Sequence, residues 1–74
     1  MSKIHVDIYG MEGCGFCNAA ISLAEELELD YTYHEDTPEF STLFPQARTV
    51  PQIMIDGTWI GGYRDFEEVM ESYE

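Results

Sequence analysis

Positive charge is what this sequence has least of: three lysines and arginines stand against fifteen aspartates and glutamates, for a net charge of −12. Phosphate backbones are held by basic surfaces, so nucleic acid is not an expected partner, and anionic membranes are disfavoured for the same reason. No apolar run approaches the roughly 20 residues of a membrane span. The opening Met1-Ser2-Lys3-Ile4-His5-Val6-Asp7 is broken by a histidine and an acid, and no signal-peptide core follows. Two cysteines and two histidines make a poor donor set for a four-ligand zinc site, and neither His5 nor His34 has ligand spacing to the cysteine pair. A metal site is therefore not expected. There is no internal repeat, low-complexity stretch or linker. The expected compartment is a reducing cytosol, where paired cysteines are catalytic or metal-binding more often than structural. The acidic surface serves solubility or, on a sharper reading, basic protein partners.

What is present suits one small domain over residues 1–74. Hydrophobic residues make up 45% of the chain, enough to exclude disorder despite the charge. Residues 3–9 alternate, with Ile4, Val6 and Ile8 on one face, as in a half-buried strand. From about Cys14 the period becomes helical: Phe16, Ala20, Leu23 and Leu27 form one stripe, widened by Ala19 and Ala24, and the helix should end near Leu29-Asp30. Residues 31–35 read as a second strand. Thr37 as a cap and Pro38 in the first turn announce a short helix with Phe40, Leu43 and Phe44 on its apolar face, stopped by Pro45. Gln52 to Ile55 is a third strand. Asp56-Gly57 is a hairpin signal, and Thr58-Trp59-Ile60 is the return strand. Trp59 is expected as core or partial cover. The last helix begins at Asp65 as cap and buries Phe66, Val69 and Met70. The order β-α-β-α-β-β-α predicts an α/β fold of thioredoxin-like architecture. It combines a right-handed βαβ unit with a hairpin and helix, giving one mixed four-stranded sheet flanked by helices on both faces.

Cys14-Gly15-Phe16-Cys17 falls where the first strand gives way to the first helix. Unpaired N–H groups and the helix dipole at that end favour an anion, and the thiolate is the nucleophile of disulfide exchange. Cys17, about one turn on, can reach the first sulfur and should lie deeper. Cys14 is thus the expected attacking thiol and Cys17 the resolving one. His5 and His34 are expected on strands, outside the chemistry.

Taken with Ile8-Tyr9, the C-G-F-C motif, the run T-V-P-Q-I-M-I-D-G and the run I-G-G-Y-R-D-F, the chain resembles a dithiol glutaredoxin nearly from end to end. The resemblance implies a glutathione-dependent thiol–disulfide oxidoreductase with catalytic Cys14 and Cys17. It would act on protein disulfides and glutathione mixed disulfides, with glutathione as co-substrate and no bound cofactor. Thr49-Val50-Pro51 looks like the family's cis-proline loop, where the Val50 backbone would pair with the cysteinyl unit of glutathione and Phe16 would form an aromatic wall. Gly61, Gly62, Tyr63, Arg64 and Asp65 look like the γ-glutamyl site; read as residues alone, they also make a plain turn with Asp65 as a helix cap. Clients would be disulfide-containing proteins, ribonucleotide reductase among them, and the chain would be a monomer.

Some positions depart from the pattern. Met11 stands where many glutaredoxins carry a lysine for the glycine carboxylate of glutathione, and Glu12 adds a negative charge beside it. Arg48 and Arg64 are the candidates to substitute for that lysine. C-G-F-C replaces the commoner C-P-Y-C, which leaves open a glutathione-ligated [2Fe–2S] protein, while the lost lysine and the acidic surface leave open a redoxin recharged by thioredoxin reductase.

Overall fold

Alternation along the first strand decides how the sheet is covered. In the computed structural model, which describes residues 4–47 and 49–72, β1 (His5–Gly10) buries Val6, Ile8 and Gly10 and turns His5, Asp7 and Tyr9 to the other face. It is followed by α1 (Gly15–Glu26), β2 (Asp30–Glu35), α2 (Phe40–Leu43), β3 (Gln52–Ile55), β4 (Thr58–Gly61) and α3 (Tyr63–Ser72). The sheet order is β2-β1-β3-β4. β1 runs parallel to β2, with Ile8 opposite Tyr33, and antiparallel to β3, with Ile8 opposite Ile53. The expected mixed sheet and element order are therefore present.

Val6, Ile8, Ile53 and Ile55 meet Ala20 and Ala24 of α1 and Phe66 and Met70 of α3 in one hydrophobic core. Full burial of a side chain such as Ile8 or Phe66 contributes about 1.5–3 kcal/mol. Alanines at the contact let α1 lie close to the strands. β3 and β4 join through Asp56-Gly57, both at positive φ (50° and 84°), the type I′ geometry that this dipeptide favours. Partner register skips Ile60 between Ile53–Gly61 and Met54–Trp59, so a bulge lies just before the Gly61-Gly62 turn.

The opposite face carries an aromatic row. Tyr9 stacks on His34 at 4.2 Å and meets Phe44 edge-on at 5.1 Å, and Trp59 meets Phe44 at 5.1 Å. Gln52, the one buried polar side chain among the described residues, is satisfied twice. Its amide donates to the Thr49 carbonyl at 2.9 Å, and its carbonyl accepts the Trp59 indole N–H at 2.8 Å. Trp59 is thus a partial cover, and both histidines sit on strands as expected.

Five local expectations change. The buried stripe of α1 is Cys17, Ala20 and Ala24, whereas Phe16 is 61% and Leu27 44% exposed. The helix starts at Gly15 with Cys14 as its cap, and holding Cys17 inward sets a rotation that turns Phe16 out. The helix also stops early, at Glu26. Glu28 adopts φ 58°, its N–H donates to the Glu25 carbonyl, and Leu29 donates to the Ala24 carbonyl at 2.9 Å, which is a Schellman motif. Thr37 does not cap α2. Its carbonyl closes a turn with Phe40 N–H at 3.2 Å, the helix begins only at Phe40, and the Thr37 hydroxyl is buried without a hydrogen-bond partner among the described residues. Phe44 rather than Leu43 fills the far face, so α2 covers that face at one end only. Finally, α3 begins at Tyr63, and Asp65 reaches back to the Gly62 N–H at 3.1 Å from the third helical position. It thus makes half of a capping box, not the cap itself.

Candidate active site

Three short connections converge at one end of the sheet. The first leaves β1 at Gly10 and enters α1 through Gly13, at φ 82°, and Cys14. Cys14 has extended backbone angles, its carbonyl accepts the Asn18 N–H at 3.2 Å, and its Sγ accepts the Cys17 N–H at 3.1 Å. Sulfur therefore occupies the position of a capping oxygen, where negative charge is stabilised. The first turn of α1 contains no acid to oppose a thiolate.

Cys14 and Cys17 are joined by a disulfide with Cα atoms 5.2 Å apart, so the structure is that of the oxidised protein. Cys17 is fully buried, whereas Cys14 is half-buried at the surface. Gly10 makes room for the inner sulfur: a methyl group at that position would overlap Cys17 Sγ.

The second connection is the loop before β3. Its Val50–Pro51 peptide is cis, and the Val50 carbonyl oxygen lies 3.7 Å from Cys14 Sγ. With the sulfur in a disulfide there is no S–H to donate, so this is a contact that places the loop across from the outer cysteine. Gln52, locked to Thr49 and Trp59, holds the loop from below.

The third connection is Gly61-Gly62. Gly61 has φ 122°, and a side chain there would collide with the Asp65 carboxylate. Asp65 is also the only acid in the first turn of α3, where the dipole favours it.

Between the second and third connections lies an open cleft of about 530 Å³. Phe16, Thr49, Val50, Pro51, Gly61, Gly62, Tyr63, Arg64 and Asp65, the nine residues expected around a ligand, all line it. The exposed Phe16 ring faces Tyr63 across 5.9 Å and forms an aromatic wall. Gln52 also lines the cleft and was not among the expected residues; its signal is a local one, a polar residue at the start of an apolar strand. Arg64 is exposed at the rim, and Arg48 lies outside the described residues.

The titration shifts that stand out belong to tyrosines. Burial, with the charges of Asp7 and Glu39 behind it, raises Tyr9 above its ordinary value, and burial followed by Glu35 does the same for Tyr33.

The glutaredoxin family model matches residues 6–60. The glutaredoxin of Haemophilus influenzae is 38% identical over 78 residues, spanning 89% of this chain and 90% of that protein. Glutaredoxin 1 of Escherichia coli is 39% identical over 71 residues, with 80% and 84% covered. The solution structure of reduced Escherichia coli glutaredoxin superposes with a TM-score of 0.79 at 32% identity, over 93% of this chain and 95% of that one. With the disulfide at the head of α1 and a thioredoxin fold around it, the chain belongs to the glutaredoxin family and is a thiol–disulfide oxidoreductase.

Proposed function

We propose that this protein reduces protein disulfides and glutathione mixed disulfides at the expense of glutathione. The observation that carries this reading is the cleft beside Cys14, which is lined by the cis-proline loop, an aromatic wall and an acid at a helix start. An extended peptide can add to the Val50 backbone as a strand would. The first N–H groups of α3 suit a carboxylate, and Asp65 suits an ammonium group. Glutathione combines these features. A buckwheat glutaredoxin–glutathione complex has the same fold, with a TM-score of 0.76 at 24% identity.

The chemistry follows from the two burials. In the reduced protein the Cys14 thiolate attacks a substrate disulfide sulfur, forming a mixed disulfide and releasing one substrate thiolate, which takes a proton. With a protein client, Cys17 then attacks Cys14 Sγ, restores the Cys14–Cys17 disulfide and releases the second thiol. Two electrons have passed to the client. When the mixed disulfide is with glutathione, a second glutathione resolves it without Cys17. Such a dithiol needs a reducing compartment, and we place the protein in the cytosol.

The test is NADPH oxidation coupled through glutathione reductase, with glutathione and a glutathionylated small thiol. Wild type and Cys17→Ser are expected to turn over and Cys14→Ser to be inactive. Asp65→Asn should raise KM about fivefold with kcat little changed. An inactive wild type would sink the glutathione reading.

A further inference from the structure

A second cavity, about 240 Å³, opens on the other side of Val50, between the β1–α1 connection and the segment before α2. Val50 lines both it and the main cleft, and Gly10, which abuts the Cys17 sulfur, lines its floor. A polypeptide whose disulfide sulfur lies against Cys14 therefore passes one flank over this cavity. The lining is largely apolar, from Met11, Pro38 and Phe40, and Met11 is half exposed. Thr37 contributes a buried hydroxyl without a partner among the described residues, with lone pairs to offer a donor.

Its charge has one sign. Asp36 lines the cavity, and Glu12 and Glu39 adjoin the lining residues Met11, Pro38 and Phe40, with all three acids exposed. Arg64, the only lysine or arginine among the described residues, lines the other cleft. An apolar trough with an acidic rim fits the aliphatic stem and cationic head of lysine or arginine.

Deepening the function proposed above, we infer that this cavity receives a lysine or arginine side chain flanking the client's disulfide, so that the preferred clients are disulfides in basic sequence. The proposal rests on Cys14 being the attacking thiol.

The experiment uses protein reduced with dithiothreitol and then desalted, so that glutathione plays no part. It follows single-turnover reduction of two peptide disulfides that differ only in lysine or glutamate two residues from the cysteine. Each rate is divided by that of dithiothreitol with the same peptide, which removes the effect of the flanking charge on sulfur reactivity. The lysine peptide is expected to react about five- to tenfold faster at low salt, falling to about twofold at high salt. The triple variant Glu12→Gln, Asp36→Asn, Glu39→Gln should lose most of that preference, and Met11→Lys should reverse it. The variant Glu67→Gln, Glu68→Gln, Glu71→Gln on α3 removes the same charge far from the cavity and should keep the preference. Equal rates for the two peptides would overturn the proposal. So would an α3 variant that loses the preference as fully as the cavity variant, because the effect would then belong to net charge. A wild type that fails with glutathione yet prefers the lysine peptide would refute the glutathione reading alone.

Discussion

Gly10→Ala tests whether the inner sulfur is held as tightly as its burial implies. Gly10 is the last residue of β1 and is buried. An added methyl group would overlap Cys17 Sγ, lie 3.1 Å from Cys17 Cβ and approach the Tyr33 hydroxyl oxygen to 3.0 Å. The tyrosine can yield, since its hydroxyl makes only a long 3.5 Å contact with the Met11 carbonyl. Cys17 cannot, because it is fully buried and bonded to Cys14. Overpacking of this kind costs about 1–3 kcal/mol. Alanine recovers about 0.4–1 kcal/mol by restricting the unfolded chain, leaving a net loss of about 1–2 kcal/mol. At about 4–8 °C per kcal/mol for a chain this short, Tm should fall by about 4–16 °C. The loss should be larger in the oxidised form, because in the reduced form the Cys17 sulfur can rotate away. If about 1 kcal/mol separates the two forms, the disulfide becomes easier to reduce by about 20 mV. Urea unfolding of both forms and a redox titration against glutathione buffers measure this. A variant as stable as wild type in both forms, with an unchanged potential, would refute the packing argument.

Two further outcomes are expected. Glu28→Gly should raise stability by about 1 kcal/mol and Tm by about 4–8 °C, because Glu28 holds φ 58° at the end of α1, where glycine is unstrained; an unchanged or lower Tm in a thermal melt would contradict this. The raised Tyr9 value carries a pH signature: the folded hydroxyl stays protonated where the unfolded one has begun to ionise. That stabilisation is complete below about pH 10 and is lost as pH rises through the folded-state value, so the urea midpoint should fall less steeply above pH 10 in Tyr9→Phe than in wild type. Parallel curves would show that Tyr9 contributes nothing there.

Much of this protein was legible in its residues because the relevant interactions are close in sequence. Alternation in β1, the Asp56-Gly57 turn and the apolar spacing of α3 are set by neighbours two to four positions apart, and each appears where the pattern put it. The C-G-F-C spacing likewise brings two sulfurs together across one helical turn. What local pattern could not decide was the rotation of α1. Its residues allow either the stripe through Phe16 and Leu27 or the one through Cys17 and Ala24, and choosing between them requires the sheet and Gly10 beneath the inner sulfur. The same holds for Asp65, whose role depends on where α3 begins, and for Thr37, whose position suits a cap but whose hydroxyl is buried beside a cavity. Both cavities share Val50 and draw on residues more than thirty positions apart, Phe16 with Thr49 in one and Gly10 with Val50 in the other. Local patterns in the residues sufficed for the Cys14–Cys17 pair and for the strands and helices that carry it. Tertiary packing alone decided which faces those elements present to one another, since that choice depends on contacts between residues far apart in the chain.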